Sequence, residues 1–113
     1  MKKTLLISIF ALFCFGLFAH SASKLELSVD MSKKWGNTLE VKVIHSGGSS
    51  HYINKIVVVL NEKEILNHKL FAQTSDKSQR VYYTIPSLKK GDKLYVEATC
   101  NKGGTKVGET VVK

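Results

Sequence analysis

The chain has 113 residues, 43% of them hydrophobic, with 17 lysines and arginines against nine acids, a formal charge of +8. Once an export leader is set aside, that length holds one domain and not two, and a domain so small buries only about 60 to 65% of its unfolded surface. The lysines are scattered and no basic run alternates with stacking aromatics, which excludes a nucleic-acid platform and leaves a solvated surface first and an acidic protein partner second.

Lys2 and Lys3 precede a nearly uninterrupted apolar run from Thr4 to Phe18, and Ala19-His20-Ser21 or Ser21-Ala22-Ser23 then supplies small residues at the positions signal peptidase reads. This order of charge, apolar stretch and small exit predicts a cleaved signal peptide over residues 1–23 and a periplasmic domain over residues 24–113. The run is shorter than the roughly 20 residues of a bilayer span, so no stable membrane insertion is expected after cleavage. Cys14 follows the bulky Phe13, which does not suit a lipobox. Losing Lys2 and Lys3 lowers the formal charge from +8 to +6, and Cys100 is left as the one cysteine, so the domain must hold together by burial without an internal disulfide.

From Leu25 onward the chain reads as strands. Leu25, Leu27 and Val29 alternate with polar neighbours, and Leu39, Val41 and Val43 repeat the pattern after a turn around Trp35-Gly36-Asn37. Ile56-Val57-Val58-Val59-Leu60 is unbroken and suits a central strand covered on both sides. Asn61-Glu62-Lys63 is a polar turn, after which Ile65, Leu66, Leu70 and Phe71 mark a weakly defined return strand; Gln73 to Gln79 is loop-like. Val81, Tyr83 and Ile85 alternate up to Pro86-Ser87. Lys89-Lys90-Gly91-Asp92 turns into Leu94, Val96, Ala98 and Cys100, and Asn101-Lys102-Gly103-Gly104 connects to a last strand over Thr105 to Val112. About seven short strands and no helix predict an all-β immunoglobulin-like sandwich.

His51-Tyr52-Ile53, Val58 through Lys63, Leu88 through Leu94 and Asn101-Lys102-Gly103 follow one another in an order and spacing that resemble the SoxZ family, the small subunit of the carrier complex in bacterial thiosulfate oxidation. The resemblance implies an immunoglobulin-like binding subunit, no catalyst and no cofactor, that pairs with a SoxY-like sulfur carrier in the periplasm. The chain ends Glu109-Thr110-Val111-Val112-Lys113, without the cysteine on a glycine arm that marks the carrier itself. The uneven strand with Ile65, Leu70 and Phe71, and the pair Tyr82 and Tyr83, are the expected partner-binding residues.

A second resemblance covers the same residues. The iron domains of superoxide reductases, the desulfoferrodoxins, hold their metal with four histidines and a cysteine, and their ligand segments look like His45, His51-Tyr52-Ile53 and Cys100-Asn101-Lys102. Gly103 stands where their last histidine falls, and Lys33-Lys34-Trp35-Gly36 is the nearest counterpart of their first ligand segment, so two of five ligands are absent. This alternative implies a degenerate metal-binding protein with His45, His51 and Cys100 as its ligands.

Read without either family, Cys100 continues the period of Leu94, Val96 and Ala98 into the core, and His45 continues that of Leu39, Val41 and Val43. Two histidines around the Ser46 to Ser50 loop with one cysteine make an incomplete set for catalytic iron, suited at most to zinc or copper, so polar structural roles are expected for them. His68, between Asn67 and Lys69, is expected in solvent. The sequence has no nucleophile elbow, no His-Glu-x-x-His and no phosphate-cradling glycine loop, which leaves no catalytic residue to nominate.

Overall fold

The computed structural model describes residues 22–31 and 36–113; the signal peptide expected over residues 1–23 lies outside these except for Ala22 and Ser23, as does Lys33-Lys34-Trp35. The described residues form seven strands: β1 (Lys24–Asp30), β2 (Thr38–Ile44), β3 (Ile53–Leu60), β4 (Lys63–Lys69), β5 (Ser78–Thr84), β6 (Lys93–Cys100) and β7 (Thr105–Val111). They pair as two antiparallel sheets, one in the order β1-β2-β5 and the other β4-β3-β6-β7, consistent with the expected sandwich.

Period-two alternation builds the core from both sheets. Leu39, Val41 and Val43 of β2 are fully buried, as are Ile53, Ile56 and Val58 of β3 and Val96 and Ala98 of β6. Burying each large aliphatic side chain contributes about 1.5–3 kcal/mol, which is the main source of stability for a domain whose one described cysteine, Cys100, is free. Ile56, Val57 and Val58 are buried as a strand covered on both faces requires, while Val59 and Leu60 are half-buried. Along one flank β7 approaches β1 so closely that a Cβ on Gly108 would meet Leu25 Cδ2 at 2.6 Å. Glycine there lets the two sheets close.

The β3–β4 hairpin turns on Asn61 and Glu62, both with positive φ (48° and 71°). Two positive φ values fit a type I′ connection, whose twist matches the flanking strands. A register shift between Val58 and Val59 then sets β4 so that Ile65 is exposed while Leu66 and His68 are half-buried. β4 ends at Lys69, so Leu70 and Phe71 belong to the following loop.

Candidate metal centre

Three loops meet at the end of the sandwich where β2 finishes, β3 begins and β6 finishes. The first runs from His45 to His51 and is folded tightly by a Gly48 N–H to His51 O bond of 2.7 Å, with His51 N–H donating back to Gly48 O. A Cβ on Gly47 would collide with the His51 carbonyl and press on the Gln73 amide, so this close return requires glycine. The second loop holds Gln73 and is tied to the first by His45 N–H to Lys77 O (3.0 Å) and Gly47 N–H to Asp76 O (2.8 Å). The third follows Cys100. There Asn101 N–H donates to Tyr52 O at 2.9 Å, Asn101 Oδ1 accepts from Tyr52 N–H at 3.0 Å, and its amide nitrogen donates to Ser50 O at 3.1 Å.

These ties bring His45, His51 and Cys100 together: one ring nitrogen of each histidine and Cys100 Sγ all lie within 4.8 Å of one another. The two imidazoles meet edge to face with centroids 4.6 Å apart. His45 is 3% exposed and Cys100 1%, while His51 is half-buried. Both buried residues sit where the strand period directs them. Cys100 Sγ accepts the Lys102 N–H at 3.4 Å, a contact of the kind a metal-bound thiolate receives.

His45 divides its two ring nitrogens. Nδ1 is hydrogen-bonded to Gln73 Oε1, whereas Nε2 is buried and has no hydrogen-bond partner. A buried polar atom left this way costs about 1–3 kcal/mol, and such exceptions call for a physical reason. Gln73 holds the ring from behind: its Oε1 also accepts Ile53 N–H at 3.0 Å, and its Nε2 donates to His45 O at 3.0 Å and Ser75 O at 2.9 Å.

The other expected site residues lie elsewhere. His68 is not in the cluster and not free in solvent; it is half-buried and bonded through Nδ1 to Tyr83 Oη at 2.8 Å. Among the expected partner residues, Ile65, Phe71 and Tyr82 are exposed at 41%, 84% and 60%. Tyr83 is 8% exposed and points into the sandwich, because it shares the inward period of Val81 and Ile85; Leu70 is half-buried against the core. Neither presents the open apolar surface expected of it. A surface cleft lined by Val59, Tyr95, Glu109 and Val111 is formed mainly by β3, β6 and β7, at the opposite end from His45 and His51.

Gln73, which positions the cluster, carries no signal in the sequence beyond being a polar loop residue, and Asn101 stands out there only as part of the segments that carry the two resemblances, not for its supporting role. The set does not fit the five-ligand iron of the reductases: Gly103 offers no side chain, and among the described residues no fourth histidine, cysteine or carboxylate joins the three. In comparison with known proteins, no family model and no curated protein matches the chain.

Proposed function

We propose that this domain is a metal-binding module that holds one transition-metal ion with His45, His51 and Cys100. The observation that carries the reading is His45 Nε2, a buried lone-pair atom with no hydrogen-bond partner, on a ring that packs against His51 and beside Cys100. Imidazole and thiolate together suit thiophilic and borderline ions. Protein purified from cells expressing the full chain, stripped with a chelator and dialysed under reductant against a mixture of copper, zinc and cobalt, should retain one transition-metal ion per chain by elemental analysis. Cys100→Ser should lose it. Retention of no ion by the unsubstituted protein overturns the reading.

A second reading is favoured by a different face. β4 and β5 are edge strands of the two sheets, linked across them by the His68–Tyr83 bond, and an edge offers unpaired backbone groups to another chain. Ile65 and Phe71 are exposed on the β4 side and Tyr82 on β5; a shallow cleft next to Phe71 is lined by Tyr52, Lys55 and Lys69, and Lys55 and Lys69 are direct cross-strand partners. Two lysines opposite each other repel, and an acidic group between them would relieve this. We infer from this a SoxZ-like role, in which an acidic SoxY-like carrier docks on this side of the domain outside the cytoplasm. Co-expression with such a carrier should yield a one-to-one complex whose association slows as salt rises. Recovery of the lone monomer counts against it.

A further inference from the structure

Building on the metal-binding reading, we propose that the His45–His51–Cys100 cluster selects copper(I), a monovalent thiophilic ion held by three ligands, over zinc and other divalent ions.

The first ground is the protonation state of His45. Three backbone groups fix the Gln73 amide: Oε1 accepts from Ile53 N–H, while Nε2 donates to the carbonyls of His45 and Ser75. Turning the amide over would set its NH2 against the Ile53 N–H and its oxygen against two carbonyls. With Oε1 thereby an acceptor, the His45 Nδ1 that it meets must carry the ring proton. Of the two neutral tautomers, this bond selects the one that presents Nε2 as a lone pair, the form that binds metals.

The second ground is charge. The cluster contains no carboxylate, so the Cys100 thiolate is its single anion. A monovalent ion on one thiolate and two neutral imidazoles is a neutral assembly. A divalent ion leaves a net positive charge among His45 and Cys100, which are 3% and 1% exposed, and an uncompensated buried charge is strongly disfavoured. The third ground is ligand number. Zinc closes a tetrahedron of four, and since among the described residues no fourth histidine, cysteine or carboxylate joins these three, it would have to complete its shell with a water. Copper(I) is satisfied by three soft or borderline donors, and thiolate selects for it.

The test is a pair of competition titrations on the stripped protein. Copper(I) is added without oxygen against a chromophoric copper(I) chelator, and zinc against a chromophoric zinc chelator. One equivalent of copper(I) should bind, tighter than zinc by on the order of a thousandfold. Zinc binding as tight as copper(I) or tighter overturns the selectivity while leaving the metal site standing; binding of neither ion removes the site itself. Nitrogen-15 NMR of the metal-free protein gives a separate reading, in which His45 should show a protonated Nδ1 and a bare Nε2. A proton on Nε2 overturns the argument from Gln73.

Discussion

Each end of this sandwich buries a polar cluster, and the two are finished differently. At the end where β3 leaves and β6 enters, Asp92 is 4% exposed and its carboxylate is fully engaged: Oδ1 accepts from Asn61 Nδ2 at 3.0 Å and pairs with Lys89 Nζ at 3.7 Å, and Oδ2 accepts from Lys89 N–H at 2.9 Å. Asn61 completes the ring by accepting Lys93 N–H at 2.9 Å. At the other end His45 is equally buried, yet one of its nitrogens has no partner. A closed network stabilises and specifies a fold, whereas an open one needs something more to complete it. Burial alone does not distinguish the two ends; the tally of their hydrogen-bond partners does.

The sharpest way to break this comparison is to cut each network once. Asp92→Ala strands the Asn61 amide and the Lys89 N–H, and should lower the melting temperature more than Cys100→Ala at the histidine end. Cys100→Ala in metal-free protein removes one small sulfur from a well-packed site and should cost about 1 kcal/mol. A larger loss for Cys100→Ala than for Asp92→Ala, by thermal melting, would mean that the histidine end is equally structural. Acid sharpens the same point. The hydrogen bond from Asn61, then that from Lys89 N–H, hold the Asp92 carboxyl below its ordinary value. Its contribution is therefore whole above the ordinary range near 4 and is lost as pH falls through the lower folded value. Asp92→Asn should flatten that acid limb.

Alkali probes the pair that joins the two sheets between these ends. Burial pushes the Tyr83 phenol from 10.0 up to about 12. Since the folded value is the higher, the stability tied to neutral Tyr83 is complete below pH 10 and is lost as pH rises toward about 12. Tyr83→Phe should cost about 1 kcal/mol at neutral pH through the lost His68 bond, and melting curves should show a weaker alkaline limb than in the parent. Tyr95, raised by burial and by Glu97, leaves part of that limb in place. An unchanged alkaline limb would show that Tyr83 is not held neutral by the fold.

The strands were legible because period two is a local property: β2 and β6 bury the residues their alternation marks, including His45 just past β2 and Cys100 at the end of β6. That same rule places Tyr82 and Tyr83 on opposite faces, so that of the pair only Tyr82 is presented to solvent. Less legible was β4, where the register shift opposite β3 decides which residues face inward. The cluster's supporting residues were not legible at all. Gln73 meets partners 28 and 20 residues away, and Asn101 meets Ser50 and Tyr52 from 51 and 49 away. Nothing in a polar loop announces which distant backbone groups its amide will find.

The smallest predicted effect lies in the hairpin at the satisfied end, where conformation and hydrogen bonding can be separated within two adjacent residues. Asn61 and Glu62 both hold positive φ, a region in which residues with a Cβ are strained. Glu62 forms no ion pair among the described residues and lines only the open cleft beside Tyr95. Glu62→Gly therefore removes strain and loses no bond; after the added freedom of glycine in the unfolded chain is deducted, a gain of about 0.5–1 kcal/mol remains. Asn61→Gly has little strain to relieve, because asparagine tolerates the left-handed region, and it deletes the side chain that bridges Asp92 and Lys93 N–H, so it should be net destabilising. Opposite signs in denaturant melts are the expected result. If both variants gained stability, the Asn61 bridge would contribute little, and the closed network at this end would owe its stability to Asp92 and Lys89 alone.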